Sequence, residues 1–584
     1  MPKRVLYGVA NYEELVRDNG YFVDKTPYIA RLEAIKNPVF LRPRRFGKSL
    51  LCRMLECYYN VGQRDQFEEL FGHTWIGQHP TPLHNTCITV ALDFSVVEPG
   101  PSLAQIEHNF KLHCNYALDL LRVRYPTLLG DLPAVDLKDA VAANLGRVCQ
   151  FISSQGLPPL YVIIDEYDNF ANQLITGQRD QLYRELTRED SFLKTFFKAL
   201  KEGRKTGAIA NVFVTGVLPI TMDDLASGFN IATFITLDPE FEAMLGFTQA
   251  EVDQLLDEVY RDYAMDPATR RQVDAVIRNH YNGYHFVNPH GEALYNSTIL
   301  LYFLHHFTRQ REIPSHLIDL NLRTDLSWVR RLTGGNPQHT EAFVDQLTLY
   351  GAIRYDDVYL VDKFNVFQFF EPAFFPVSFF YLGMLTRQDE FHLRLPNLTL
   401  RQIFVEYFNE LHRIDVSTRY QEIMAAFVAQ PELAPLFAGY WREYVSQLPE
   451  AIFSQVNENF YRTTFFELCS RYLSRWFTWN VERSYPSGRS DLEFVGKYHE
   501  RFVGLRWVIE FKYLSNAEFA KYHVAPEAFP LQEEDTRQIA GYVAGLRQEY
   551  PEARIRQFVI YCFRNQGFRV CEVIGAEQVS QGLQ

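Results

Sequence analysis

Gly47, Lys48 and Ser49 form a short segment whose residue types and order suit phosphate binding. An apolar run precedes the segment at 38–41 and an amphipathic stretch follows it at 50–55, which predicts a strand, a loop and a helix that begins at the segment. The free N–H groups of a helix N-terminus bind phosphate oxygens. Lys48 would reach the β- and γ-phosphates of ATP, and the Ser49 hydroxyl would ligate Mg²⁺. An ordinary helix start is the competing interpretation.

The loop before this segment departs from the usual phosphate-loop pattern at one position. Arg42 stands where the pattern GxxxxGK(S/T) has its first glycine, and Pro43 fixes one φ angle beside it. We therefore expect the loop to turn differently. Arg45 and Phe46 directly precede Gly47, and we count all three among the nucleotide-binding residues.

Two further apolar runs end in polar residues that suit the same ligand. LYVIID (160–165) ends in Asp165, which would hold Mg²⁺ through water, and Glu166 follows, which would orient or deprotonate the attacking water. NVFVTGV (211–217) contains Thr215, a candidate sensor of the γ-phosphate. Each residue alone also fits a plain strand-end turn. Three such strand ends together indicate one ligand site, because ligands bind there in open α/β sheets.

Asp491, Glu510 and Lys512 form a second set of chemically competent residues. Glu510 and Lys512 are two apart on an apolar strand-like run, so they share one strand face, where charge is costly unless paired or metal-bound. A hairpin would place Asp491 beside Glu510, and two carboxylates with a backbone carbonyl make a hard-oxygen site for Mg²⁺. Such an ion activates water and a scissile phosphate, and Lys512 would position the water or stabilise developing charge. An exposed Glu–Lys ladder on an edge strand is the alternative.

Four other polar residues belong to the same stretch. Gln538 and Tyr542 are one helical turn apart and would face the site together, whereas a capping amide and a core tyrosine are the alternative interpretations. Glu458 and Glu482 are candidates for a further acidic ligand. For Glu458 a solvated helix face is the favoured interpretation.

The elements that must position these residues follow a βα rhythm in the first part of the chain. Residues 1–235 alternate apolar runs with amphipathic stretches, which predicts a parallel sheet in an α/β domain that carries the phosphate loop. Residues 236–435 show mainly helical periodicity and are expected to form a lid and small helical subdomains. The breaker-rich segment QPELAP (430–435) indicates the boundary that follows.

Residues 440–584 predict a second α/β domain with the order α-β-β-β-α-β. A helix is expected over 455–476 and another over about 533–549. The predicted strands are WNVERSY (479–485), RSDLEFVG (489–496), GLRWVIEFKYL (504–514) and IRQFVIYCF (555–563).

Composition excludes several classes of protein. Hydrophobic residues make up 47% and charged residues 22%, as in soluble globular proteins. No window approaches the roughly 18 apolar residues of a membrane span, and the N-terminus shows no secretory signal, so a cytoplasmic protein without membrane partners is expected. The eight cysteines form no CxxC or zinc pattern. Nearly all of the net charge of −13 lies before Tyr440, which leaves room for a local basic groove in the last domain.

Over essentially its whole length the chain resembles a bacterial family of AAA-ATPase-like proteins with a C-terminal PD-(D/E)XK nuclease domain. Arg42 fits the family's own RPRRFGKS form of the phosphate loop. The phrases that carry the resemblance are YFVDKTPYI (21–29), FLRPRRFGKSLL (40–51), VIIDEYDN (162–169), VFVTGV (212–217), GFTQAEV (246–252), HYNGYHF (280–286), LYNSTIL (294–300), SFFYLGMLT (378–386), LPNLTLR (395–401), GRSDLEF (488–494) and VIEFKYL (508–514).

The resemblance implies a P-loop ATPase domain and a restriction-endonuclease-like fold. By motif matching, the nucleotide-site residues are Lys48, Ser49, Asp165 and Glu166. The nuclease residues are Asp491, Glu510 and Lys512. Ser490-Asp491 takes the place of the proline-aspartate pair of the nuclease signature.

The leading hypothesis is an ATP-hydrolysing protein coupled to a nuclease that acts on nucleic acid, DNA in the first place, with Mg²⁺ or Mn²⁺ at the nuclease site. The alternative is a nucleotide-driven switch or scaffold whose nuclease-like domain only binds nucleic acid or partners. A third hypothesis is an ATPase without a nucleic-acid function. Oligomerisation stays open, and the candidates for an arginine finger are Arg44, Arg45, Arg330 and Arg331.

Overall fold

Three β-sheets and the helices around them make up the part of the chain that the computed structural model describes. The described residues are 2–177, 179–186, 191–219, 229–318, 337–361, 368, 371–416, 419–485 and 488–573. The first sheet has five strands, the second has three and the third has five. Together they give the mixed α/β fold that the sequence predicts.

The N-terminal sheet is parallel and is built from β1 (Pro38–Leu41), β2 (Ile88–Asp93), β3 (Leu160–Asp165), β4 (Ile209–Gly216) and β5 (Thr233–Phe234). The strand order is β2-β3-β4-β1-β5, so β4 separates β1 from β3. Every residue of β1 and β3 is buried, as expected for a parallel sheet covered on both faces. The longer helices here are α1 (Lys48–Tyr59), α2 (Leu103–Asp119), α3 (Val141–Gln155) and α4 (Phe192–Thr206).

The apolar runs at 38–41, 160–165 and 211–217, which the sequence predicts as strands, all form strands, and this confirms the parallel sheet. The two-residue strand β5 was not predicted, because two residues are too few to show a period.

Helices dominate the middle of the chain. They are α5 (Gln249–Asp262), α6 (Arg270–Tyr281), α7 (Ser297–Gln310), α8 (Pro337–Tyr350), α9 (Leu398–Leu411) and α10 (Arg419–Ala429). A small antiparallel sheet, not expected from the sequence, joins β6 (Ala352–Arg354), β7 (Thr386–Arg387) and β8 (His392–Arg394) in the order β6-β8-β7. These strands are too short for a recognisable alternation of apolar and polar residues.

The C-terminal region confirms the predicted order α-β-β-β-α-β and adds one helix before it and one strand after it. The elements are α11 (Leu433–Glu443), α12 (Glu458–Leu473), β9 (Phe477–Tyr485), β10 (Gly488–Gly496), β11 (Leu505–Tyr513), α13 (Glu533–Glu549), β12 (Arg554–Phe563) and β13 (Gly567–Glu572). The sheet order is β13-β12-β11-β10-β9, and β11 and β12 are the parallel pair. The extra strand β13 pairs antiparallel with β12.

Helix α6 links the middle region to the C-terminal sheet. Gln272 donates a hydrogen bond to the Gly496 carbonyl at 3.1 Å, and Asn279 donates to the Trp479 carbonyl at 3.2 Å. Lys497 of the C-terminal region donates to the carbonyl of Ile313, which follows α7.

The shorter helices are Tyr12–Arg17, Pro27–Glu33, Phe67–Phe71, Trp75–Gln78, Leu121–Arg124, Pro126–Leu129, Asn169–Thr176, Asp180–Leu186, Val358–Val361, Phe375–Tyr381, Glu450–Phe453 and Asn516–Phe519.

Among the described residues, no helix combines the length and the apolar character that crossing a membrane requires. All eight cysteines are buried free thiols.

Candidate functional site

The segment Gly47-Lys48-Ser49 lies where β1 leads into α1. Gly47 has φ +97°, a conformation that glycine adopts without steric cost, and α1 begins at Lys48. The Ser49 hydroxyl hydrogen-bonds the carboxylate of Asp165 at the end of β3, and Lys48 Nζ lies 3.5 Å from Glu166 Oε1. The fold therefore brings together two pairs of polar residues that lie more than a hundred positions apart in the sequence.

The ammonium group of Lys48 is held inside the loop that precedes it. Lys48 is buried and donates hydrogen bonds to the carbonyls of Arg42 and Pro43, at 3.1 and 3.2 Å. Together with Glu166, these carbonyls satisfy a charge that would otherwise be costly to bury. An anionic phosphate at this position would offer the ammonium group a stronger partner than the neutral carbonyls.

Asp165 has a raised pKa, and the backbone of the adjacent Glu166 is strained. Burial raises the pKa of Asp165 to about 6; the hydrogen bond from Ser49 opposes the rise, and the Glu166 charge adds to it. Glu166 has φ +50°, in the left-handed region that non-glycine residues rarely occupy. A cation beside Asp165 would favour its charged form, so the carboxylate and the Ser49 hydroxyl are a fitting oxygen-donor set for Mg²⁺.

Thr215 lies on β4, between β1, which leads to the lysine, and β3, which leads to the acids. Its side chain is buried, and Oγ1 donates to the carbonyl of Phe40 at 2.7 Å. The hydroxyl is thus engaged in joining β4 to β1 in this structure.

Asp168 is a further residue of this region that sequence reasoning missed. It is fully buried and accepts hydrogen bonds from the backbone N–H groups of Val217 and Leu218, at 3.1 and 2.8 Å. It thereby ties the turn after β3 to the end of β4. The second aspartate of the phrase DEYD was the only signal for it in the sequence.

Arg42 stabilises the phosphate loop at the position where the usual pattern has its first glycine. The guanidinium group is buried, donates to the carbonyls of Thr236 and Glu242 at 2.8 and 3.1 Å, and lies 4.3 Å from the ring centre of Phe40. Burial lowers the pKa of Arg42 to about 9, and the charge of Glu242 opposes that shift. Arg42 therefore anchors the loop to the segment that follows β5.

A cavity of about 270 Å³ adjoins the loop. Residues 44–51 line it from one side and the start of α7 from another, where Thr298 donates its backbone N–H to the Arg45 carbonyl at 3.1 Å. Apolar residues of the N-terminal segment complete the walls, among them Leu6 and Phe22. Arg44, Arg45, Phe46 and Gly47 all belong to the lining. Of the arginine-finger candidates, Arg330 and Arg331 lie outside the described residues.

Asp491, Glu510 and Lys512 come together on the neighbouring strands β10 and β11. Asp491 Oδ2 accepts the backbone N–H of Phe511 at 2.8 Å, and Oδ1 accepts a bond from Arg462, also at 2.8 Å. Lys512 Nζ donates to Glu510 Oε1 at 3.1 Å. The two-residue spacing of Glu510 and Lys512 therefore places both on one strand face.

The carboxylate of Glu458 lies near the carboxylates of Asp491 and Glu510. Burial raises the pKa of Glu510 to about 8 and that of Glu458 to about 7, and the charge of Asp491 adds to both shifts. Glu458 is half-buried at the start of α12 and does not lie on a solvated helix face. Glu510 Oε2 is buried and has no hydrogen-bond partner among the described residues. Clustered carboxylates with a free buried oxygen fit a hard divalent cation.

Comparison with known proteins assigns both regions. Residues 6–226 match the family model described as "Predicted AAA-ATPase", and residues 456–572 match that of the PD-(D/E)XK nuclease superfamily. The chain joins an AAA-ATPase-like domain to a PD-(D/E)XK nuclease-superfamily domain. An "Uncharacterized protein in vnfD 5'region" of Azotobacter chroococcum mcd 1 is 24% identical over 328 residues, which cover 54% of this chain and 56% of the relative. The alignment thus spans about half of the relative's length.

In the nuclease-superfamily domain, Gln538 and Tyr542 do face the carboxylates together. Gln538 Nε2 donates to Glu510 Oε1 and to the Tyr542 hydroxyl, while Gln538 Oε1 accepts a bond from Lys512 at 3.0 Å. One amide therefore orients both the acid and the lysine.

Glu482 of the nuclease-superfamily domain has arginine partners. Arg401 and Arg462 each bond its carboxylate at 3.0 Å, and Arg489 does so at 2.5 Å. Burial alone would raise the pKa of Glu482, but the three guanidinium groups lower it to about 2. This carboxylate is thus committed to an arginine cluster.

Proposed function

We propose that this protein hydrolyses ATP in its AAA-ATPase-like domain and cleaves nucleic-acid phosphodiester bonds, those of DNA foremost, in its nuclease-superfamily domain. The observation that carries the proposal is the set Asp491, Glu510 and Lys512 on adjoining strands, with Glu510 Oε2 buried and without a donor among the described residues. In a strand with mostly buried neighbours, such a set is costly unless it serves a ligand.

In the nuclease-superfamily domain, Asp491 and Glu510 would hold Mg²⁺ or Mn²⁺, with Glu458 as a further acid. A divalent cation bound there supplies Lewis-acid activation of the phosphodiester and of water. Lys512 is placed to orient the attacking water or to stabilise the charge that develops on the phosphate. Gln538 fixes the position of the Lys512 ammonium group through its 3.0 Å hydrogen bond.

In the AAA-ATPase-like domain, Lys48 would contact the β- and γ-phosphates, and Gly47 and the start of α1 would supply N–H donors. Ser49 and Asp165 would hold Mg²⁺, and Glu166 would orient the attacking water. The 270 Å³ cavity beside the loop would receive the nucleoside, with Arg45 and Phe46 in its wall. Thr215 would sense the γ-phosphate only if its hydroxyl left the Phe40 carbonyl.

A second candidate function has an observation in its favour. Both oxygens of Asp491 are already engaged, one by Arg462 and one by the Phe511 N–H group. A domain that binds nucleic acid without cleaving it would keep these two hydrogen bonds of Asp491. The protein would then be a nucleotide-driven switch or scaffold.

One experiment separates the two functions. Purified full-length protein is incubated with plasmid, linear and single-stranded DNA and with RNA, with and without ATP and with Mg²⁺ or Mn²⁺. Cleavage that disappears in the Glu510→Gln variant supports the nuclease. Substrates that stay whole under every condition, together with retained binding, support the switch.

A further inference from the structure

A cluster of four arginines adjoins the acids of the nuclease-superfamily domain. Arg462 bridges Asp491 and Glu482, at 2.8 and 3.0 Å. Glu482 has φ +55° and lies on β9 at the level of Asp491, where the regular pairing of β9 with β10 is interrupted. Arg401 and Arg489 bond the same glutamate. Through the bond of Arg462 to Asp491, the arginine cluster therefore lies next to the proposed metal ligands.

The middle region supplies two of these arginines. Arg401 comes from the first turn of α9, and Arg394 ends β8. Arg489 comes from β10, two residues before Asp491, so the two side chains share one strand face. The arginine cluster, called the patch below, thus combines residues from both sides of the junction between the middle region and the C-terminal sheet.

Arg401 and Arg489 share the single carboxylate of Glu482 with Arg462. Nε of Arg394 is buried and has no hydrogen-bond partner among the described residues. Burial lowers the pKa of Arg394, and the charges of Arg401 and Arg489 lower it further, while Glu482 opposes them. Like charges held together in this way are destabilising unless an anion joins them.

The chemistry of the patch indicates the anion. Guanidinium groups bind phosphate oxygens through paired, planar hydrogen bonds and carry no base preference when they contact the backbone. The side chain of Arg489 is 55% exposed, so it is accessible to a large ligand. A nucleic-acid strand with its scissile phosphate at Asp491 and Glu510 would bring a neighbouring phosphate of the same strand to the arginines.

We propose that Arg394, Arg401 and Arg489 bind a backbone phosphate next to the scissile one, so that the middle region forms part of the substrate-binding surface of the nuclease-superfamily domain. The inference rests on the proposed function in that its ligand is the nuclease substrate. It concerns binding, however, and can hold even where cleavage does not occur.

The test measures binding of labelled duplex DNA, single-stranded DNA and RNA to the full-length protein in an Lys512→Ala background, which keeps the probes whole. Arg394→Gln is expected to weaken binding about tenfold and to reduce the slope of log affinity against log salt by about one, as the loss of one phosphate contact requires. Arg147→Gln is the matched control, since Arg147 is an exposed arginine of α3 whose side chain pairs with Asp139. Inorganic phosphate serves as competitor and shows whether a free anion suffices.

Arg489→Gln, at the exposed edge of the patch, provides a second variant if Arg394→Gln fails to fold. Affinities and salt slopes equal to those of the control in both variants would overturn the inference, as would a protein that binds none of the three probes. Wild-type protein that binds but leaves its substrates whole would refute the cleavage proposal alone. Wild-type protein that cuts, with arginine variants that bind normally, would refute this inference alone.

Discussion

Lys48 and Glu166 show how the nucleotide site is built at the scale of single side chains. The ammonium group is buried against one carboxylate and two backbone carbonyls, and Glu166 adopts a left-handed backbone. Both features carry a cost that a ligand would offset. Each residue can therefore be tested for its own role.

We expect Lys48→Ala to abolish tight ATP binding, because the phosphates lose the cation that balances their charge. The affinity should fall by about a hundredfold or more, as for removal of one partner of a buried charge pair. Calorimetric titration with ATP and Mg²⁺ measures it. Lys205→Ala is the control, since Lys205 is 78% exposed. Unchanged affinity in Lys48→Ala would remove this lysine from the site.

Glu166→Gln is expected to preserve ATP binding and to slow hydrolysis by about 10²- to 10⁴-fold, the range for a lost general base. The amide keeps the shape of the side chain but cannot accept the proton of water. Parallel binding and phosphate-release assays separate the two effects. Turnover at the wild-type rate would exclude Glu166 from the reaction.

Metal binding by the nuclease-superfamily domain should depend on pH. Glu510 and Glu458, with pKa values raised to about 8 and about 7, hold protons near neutrality, and a cation must displace them. The affinity for Mn²⁺ should therefore rise as pH increases through this interval, by up to about tenfold per pH unit for each proton released, and level off above it. Paramagnetic resonance of free Mn²⁺, without nucleotide, measures it. In Glu510→Gln the rise should be smaller, and a pH-independent wild-type affinity would contradict the assignment.

At the scale of elements, α6 and α7 connect the two proposed sites. The Thr298 N–H group at the start of α7 donates to the Arg45 carbonyl of the phosphate loop. The Asn296 N–H group before α7 donates to the carbonyl of Tyr281, the last residue of α6. On α6, Asn279 donates to the carbonyl of Trp479 on β9. A shift of the phosphate loop on nucleotide binding would thus be transmitted to β9, the strand that pairs with β10.

We expect Asn279→Ala to reduce the effect of ATP on cleavage while the ATPase rate stays at its wild-type value, because Asn279 contacts neither proposed ligand. The measurement compares cleavage with and without ATP in the variant and in Asn109→Ala, a control at a half-buried position of α2. An undiminished response to ATP in Asn279→Ala would exclude this route of coupling.

At the scale of the whole molecule, the two proposed active sites belong to different sheets. Asp491→Ala and Glu510→Ala should each remove nucleic-acid cleavage and leave ATP hydrolysis intact, because neither residue contacts the AAA-ATPase-like domain within the described ranges. Cleavage gels and phosphate release from the same preparations measure both activities. ATP hydrolysis lost together with cleavage would show that the domains do not act separately.

The amino-acid sequence by itself determined the features that depend on neighbours along the chain. The buried run LYVIID forms β3 over the predicted residues, and Glu510 and Lys512 share a face because side chains on a strand alternate. The αβββαβ order of the last domain was likewise predictable. Periodicity and spacing are local properties, so a single sequence is enough to read them.

Only the tertiary structure decided the contacts between distant segments. Arg401 reaches Glu482 across 81 positions, and Asp168 reaches the loop after β4 across about 50. Glu458 joins the carboxylates because α12 packs across β9, β10 and β11, which no pattern around that residue indicates. These neighbours depend on how helices and sheets pack in three dimensions, and the packing is a property of the whole core, for which one sequence carries no local signal.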